Sequence, residues 1–196
     1  IDVIVTVFFS AMAGYGFAKF KFRGQRPLFF FILIIMTVPF QILLVPLFIQ
    51  VRSFGWDDSY QGLIIPGIMN AFGVFMMRQF AYSIPDELLD AARIDGASWW
   101  QILTRVILPL CKPPLTIIVV FTFMASWNAF LWPLLIASDI DMMTLPVGLA
   151  NLRGRFVTEW NLVMAGATIS VIPIVIVYLA AQRYVVRGIA LSGLKG

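Results

Sequence analysis

The feature that most constrains this chain is its series of long apolar blocks. Residues 1–18, 28–50, 62–80, 113–137 and 161–182 are each close to the ~20 residues a helix needs to cross a bilayer. None carries Asp, Glu, Lys or Arg at its middle; Asp2 stands at the start of the first. In hydrocarbon every backbone N–H and C=O must be satisfied inside the chain, so blocks of this length read as helices. The expected fold class is therefore all-α integral membrane: a polytopic helical bundle with five spans, one transmembrane domain over 1–196. Composition agrees, with 61% hydrophobic and 12% charged residues, where a soluble domain has about a quarter charged. The first block begins at once with Ile1 rather than Met, so a natural N-terminus is expected to be missing.

The blocks are not uniform. Pro39, Gln41 and Pro46 lie in the second, Pro66 and Asn70 in the third, Pro173 in the last. Proline bends a buried helix and opens room for a pathway. Gly14 and Gly16 are expected to let a neighbouring helix come close to the first block.

Between the third and fourth blocks lies a stretch no membrane core accepts, Tyr82 to Lys112. Asp86, Glu87, Asp90, Arg93, Asp95, Arg105 and Lys112 fall within it. Ser83 with Asp86 reads as a capping box, with Pro85 in the first turn where its missing N–H costs nothing. Leu88, Leu89 and Ala92 are then expected on one helical face. Gly96 ends that helix by tolerating a left-handed turn. Ser98 with Gln101 reads as a second capping box, and Pro109 stops or kinks the second helix. The sequence thus writes helix, glycine turn, helix between two spans.

Charge sets the orientation. With this loop inside, eleven of the fourteen bases fall on the inner side. Only Arg52, Arg153 and Arg155 fall outside, together with six of the ten acids, Asp57, Asp58, Asp139 and Asp141 among them. This obeys the positive-inside rule and makes loop 82–112 and the basic tail 183–196 cytoplasmic.

The run Ile84-Pro85-Asp86-Glu87-Leu88-Leu89-Asp90-Ala91-Ala92-Arg93-Ile94-Asp95-Gly96-Ala97-Ser98, followed by Leu108-Pro109, resembles the EAA loop of ABC importer permeases, in the form of the carbohydrate-uptake, maltose-type branch. Asp90 stands where that family usually has Glu, and Leu103 where it usually has Phe. Tyr15 to Gly24, Trp127 to Leu134, Leu145 to Leu149 and the ending Ser192-Gly193-Leu194-Lys195-Gly196 resemble the same family, so the likeness covers essentially the whole chain. It implies the type I importer permease fold, with one further span ahead of Ile1 for six in all. It implies a plasma-membrane permease subunit forming a sugar pathway with a partner permease, coupled to a separate ATPase dimer and fed by an external sugar-binding protein. Its coupling residues would be Glu87, Asp90, Ala91, Ala92, Asp95, Gly96, Ala97 and Pro109. The three acids would pair across the ATPase groove or locally; for Asp95 a local turn cap is an equal reading, since Asp before Gly often binds its own backbone. The tail would touch the ATPase pair or lipid headgroups.

The chemistry missing from the sequence points the same way. A charge buried mid-span is what usually couples an ion to a substrate, and no block has one. No Gly-x-x-x-x-Gly-Lys-Ser/Thr, His-Glu-x-x-His or Gly-x-Ser-x-Gly occurs, so no ATP site or enzyme site is expected. The chain has no histidine and one cysteine, Cys111, expected to be an idle thiol. No cofactor, metal or nucleic acid is implied for this chain; lipid is. A stand-alone carrier or channel for a small polar solute is the alternative. For a sugar pathway Gln41, Asn70, Trp127 and Asn128 are the candidates, as amides for hydroxyls and a flat face for C–H stacking. The commoner role of such residues is helix–helix hydrogen bonding or an interfacial aromatic belt.

Overall fold

The structure is a computed structural model that describes residues 1–152 and 159–193, with side chains through Gln182. Arg153 and Arg155, and the side chains of the basic tail from Arg183 onward, lie outside the described residues. Every regular element described is helical.

Two helices are long and apolar enough to cross a membrane unaided: α1 (Asp2–Lys19), and the stretch Trp160–Gln182 of a longer final helix, Trp160–Gly193. The other three blocks are broken. The second, expected as one span, is α2 (Gln25–Thr37) and α3 (Phe40–Ser53), set at 100°. The cause is local: Val38 precedes a proline and is forced to an extended conformation, and Pro39 follows it there before α3 starts. The third block is α4 (Tyr60–Ile64), which runs on as a tighter turn to Gly67, and α5 (Ala71–Ser83), bent by 42°. Asn70 caps α5, its side-chain oxygen accepting the Gly73 N–H at 3.2 Å. The loop then supplies α6 (Asp86–Ile94) and α7 (Trp99–Ile102). A π turn over Leu103–Ile107 leads to α8 (Leu108–Leu110), and α9 (Lys112–Trp127) leaves at 81°. After α9 come α10 (Leu131–Ile136), α11 (Leu145–Asn151) and the final helix, α12. Counting each bent pair as one crossing gives up to five, but the third pair, Trp99–Leu110 with Lys112–Trp127, takes its first half from the charged loop and not from the fourth block.

The bundle is organised on α1 and α5, which lie side by side and run in the same direction. Small residues permit this. A Cβ on Gly14 would sit 2.4 Å from the Met77 Cβ, and one on Gly73 would sit 2.2 Å from the Ser10 hydroxyl. Ser10 and Gly14, four apart on α1, form the small-residue seam that brings membrane helices together. Gly16 faces open space instead, because two residues along a helix is not the same face.

The largest buried cluster joins this pair to the charged loop. Ala11 and Tyr15 of α1 and Met77 and Ala81 of α5 pack with Leu89, Ile102, Leu103 and Ile107. The loop is thus part of the core at one end of the bundle. At the opposite end Val51, Trp132 and Ile136 form a second cluster. There Asp58 joins two connections, accepting the N–H groups of Ser138 and Asp139 at 2.9 and 3.0 Å.

Candidate functional site

The elbow is built by short-range signals. Gly96 adopts φ +79°, and its N–H donates to the Arg93 carbonyl while the Ala97 N–H donates to Ala92, both at 2.9 Å. That pair of bonds is a Schellman closure, which needs a left-handed residue at the glycine position. One residue on, Ser98 and Gln101 form the reciprocal capping box: the Gln101 N–H donates to the Ser98 hydroxyl, and the Ser98 N–H to the Gln101 side chain.

The first capping box is not formed. Pro85 is itself the residue before α6, and the Ser83 hydroxyl donates back to the Phe80 carbonyl. A longer-range contact replaces it. Lys19, at the end of α1, donates to the Ile84 carbonyl at 2.5 Å and to the Asp86 carboxylate at 2.7 Å. The lysine is nearly buried and the aspartate is exposed. This hydrogen bond first, and the lysine charge second, hold the Asp86 carboxyl below the usual carboxylate range. Because the folded state lowers that pKa, the clip contributes at neutral pH and is lost as pH falls through the depressed value. Lys19→Met is expected to speed amide exchange over 84–90 at neutral pH and to abolish its acid dependence, measured by hydrogen exchange.

The elbow divides its residues in two. Leu89 is buried and Ala92 partly so, but Leu88 turns outward, against the expected common face. Glu87, Leu88, Ala91, Ile94 and Asp95 are exposed, with Ile94 86% accessible. Asp90 is paired within its own helix, accepting from Arg93 at 2.8 Å, and the Arg93 guanidinium lies 4.3 Å over the Trp99 ring. Glu87 and Asp95 accept no side-chain bond among the described residues, so the turn cap open to Asp95 is not made by its carboxylate. Ala97 is half-buried against the core. Pro109 lies within α8; the 81° bend falls two residues later, at Cys111, after the π turn and before Pro113 and Pro114 open α9. Cys111 is buried, and burial pushes its thiol up to about 11.

The four pathway candidates separate. Asn70 and Asn128 line one cavity of about 480 Å³ near the opposite end, with Phe40, Phe130 and Trp132 on its walls. Each amide spends one atom on its own backbone, Asn70 on Gly73 and Asn128 on the Met124 carbonyl, and leaves the other atom without a bond among the described residues. Trp127 serves the packing role: its indole N–H donates to the Ser170 carbonyl of α12 at 3.0 Å. Gln41 is exposed on α3 and does not line this cavity. Two residues passed over in the sequence join the amides there, Asp2 and Ser126, the serine hydroxyl donating to the Asp2 carboxylate. The one available signal was that Asp2 is the sole charge of the first block.

Broken apolar helices around a cavity that gathers a few polar groups, with one charged elbow set into their core, suit a membrane translocation subunit. The chain belongs to the family of binding-protein-dependent transport system inner membrane components, whose pattern matches residues 7–191. It is 37% identical to the arabinooligosaccharides transport system permease protein AraQ of Bacillus subtilis (strain 168), over 98% of this chain and 69% of that one. It is also 37% identical to the sn-glycerol-3-phosphate transport system permease protein UgpE of Shigella flexneri serotype 5b (strain 8401), over 92% of this chain and 65% of that one. A chain in the crystal structure of a bacterial ABC transporter that imports the acidic polysaccharide alginate superposes with a TM-score of 0.81 at 29% identity, covering 92% of this chain and 69% of that one. The inward-facing methionine transporter MetNI shares the fold, with a TM-score of 0.60 at 20% identity over 94% of this chain and 91% of that one. The protein is thus an ABC importer permease subunit with the type I fold, not a stand-alone carrier.

Proposed function

We propose that this chain forms half of a sugar pathway, with a partner permease as the other half, and that a separate ATPase dimer drives it through the elbow. The observation that carries this is the placement of the elbow. Its inner face, Leu89, Ile102 and Ile107, is fused to the α1–α5 core, while Glu87, Ala91, Ile94 and Asp95 stand free. A partner seated on that free face moves the core with it, because a packed interior transmits displacement without yielding. Asp90, engaged with Arg93, shapes the helix, and Glu87 and Asp95 meet the partner. Gly96 fixes the turn between α6 and α7, and the break at Cys111, not Pro109, sets the angle at which the elbow meets α9.

The cavity with Asp2, Asn70, Ser126 and Asn128 suits a polyhydroxylated solute. The Asp2 carboxylate repels phosphate, so the reading favours a neutral oligosaccharide of the kind named for the Bacillus relative over glycerol phosphate. The tail from Arg183 is read as a second contact with the ATPase pair.

The test is to co-express the chain with its ATPase, partner permease and binding protein in vesicles. ATP hydrolysis and uptake should rise with a neutral-oligosaccharide-loaded binding protein. Uptake by this polypeptide without the ATPase would refute the proposal. Orientation needs a separate reporter, because buried Cys111 is silent to thiol reagents from either side. Ile94→Cys, almost fully exposed, should label only from the cytoplasmic face.

A further inference from the structure

Beside the elbow, the end of α1, the turn into α2 and the last turns of α5 enclose a cavity of about 930 Å³. Four bases line it, Lys19, Lys21, Arg26 and Arg78, against one acid, Asp86. That acid is already engaged by Lys19. Lys21 and Arg26 form no ion pair among the described residues. Arg78 donates through Nε to the Phe17 carbonyl at 3.3 Å and lies 3.9 Å over the Phe29 ring. Its two terminal nitrogens have no acceptor among the described residues. The first two residues of α2, Gln25 and Arg26, line the same space, and its N-cap Gly24 supplies no side-chain cap. Three further cations and the first turn of a 13-residue helix therefore line a space whose one acid, Asp86, is already bonded to Lys19. Gln25, Tyr82 and Ser83 also line it, but its α2 side is apolar: Phe29, Phe30 and Leu33 line it there, and the exposed Phe31, Ile34 and Ile35 add apolar surface farther along α2.

We propose that this cavity binds the phosphate headgroup of an anionic phospholipid, with the acyl chains lying along α2. The inference rests on the orientation proposed above, which puts these bases at the cytoplasmic headgroup level. The charges alone would suit any phosphate. The apolar wall continuous with α2 is what selects a lipid, since a free anion gains nothing from it. Lys19 and Arg78 hold the start of the elbow and the end of α1, so a bound headgroup would stiffen the joint through which force passes.

The test uses the assembled transporter, purified and returned to bilayers of phosphatidylcholine with or without phosphatidylglycerol. Lys21→Gln and Arg26→Gln are the variants, because both side chains are exposed and make no ion pair whose loss would unfold the chain. Retained phosphatidylglycerol, read by native mass spectrometry, should fall roughly fivefold for each base removed. In the same variants the gain in binding-protein-stimulated hydrolysis given by phosphatidylglycerol should disappear. Excess inorganic phosphate should not displace the lipid. Equal retention by wild type and variants would overturn the proposal. So would full displacement by phosphate, which would make this a free-anion site, or crosslinking of Arg26 to an acidic segment of the ATPase with no lipid retained. A failed transport reading would look different: hydrolysis would not respond to the binding protein, while base-dependent lipid retention persisted.

Discussion

Replacing Gly96 with proline eliminates coupled transport, whereas replacing it with asparagine preserves most of it. Gly96 sits at φ +79° with open space where a Cβ would go, so the constraint is on backbone conformation and not on volume. Proline is locked near φ −65° and also removes the N–H that reaches the Arg93 carbonyl, for a cost of roughly 3 kcal/mol or more. Alanine costs about 1–2 kcal/mol at a left-handed position, and asparagine less. The damage is confined to the turn between α6 and α7, so the spans should still insert and pair. Binding-protein-stimulated hydrolysis and uptake would be lost in the proline variant, with the ATPase bound weakly or not at all. Normal uptake by the proline variant would show that the elbow transmits nothing.

Gly14→Leu is expected to prevent assembly altogether. A Cβ there would lie 2.4 Å from the Met77 Cβ and 2.8 Å from the Arg78 backbone nitrogen, and backbone cannot step aside as a side-chain tip can. Overpacking of this kind costs about 1–3 kcal/mol where neighbours can shift, and here α5 would have to leave α1. Those two helices carry the core on which the elbow is seated, so its loss should appear as aggregation on detergent extraction. Gly16→Leu is the control. A Cβ there meets nothing within 4 Å, so this variant should extract and assemble as the parent does.

These two glycines show how much of the protein its sequence made legible. Gly96 and the Ser98–Gln101 box were readable because their partners lie within a few residues. Which of Gly14 and Gly16 makes the close approach was not, since that depends on where a helix 63 residues away comes to rest. The same limit explains the failed reading of Ser83 and Asp86. Locally they fit a capping pattern, but Pro85 occupies the capping position and Lys19 takes the carboxylate. The spans were legible as apolar lengths; the 100° break at Val38–Pro39 was not, since a proline in a span announces a bend without its angle. In the candidate cavity two amides were found from their chemistry alone. Asp2 was noted only as the exception in an apolar block, since nothing in the sequence brings it near Asn70 and Asn128, and Trp127 was included because an aromatic ring suits a sugar as well as it suits a neighbouring helix.

The helix α1 has one further consequence. It is 18 residues long, about 27 Å at 1.5 Å per residue. One extremity is fastened to the elbow by Lys19, and the other places Asp2 on the wall of the cavity that holds Asn70 and Asn128. On the proposed function, a single stiff rod joins the point where the ATPase would push to the cavity where a solute would rest. A tilt of about 10° at the fastened end sweeps Asp2 through roughly 5 Å, the width of a sugar ring. The proposed motor would then not need to reshape the passage; leaning one rod would be enough to move the Asp2 carboxylate along the cavity wall.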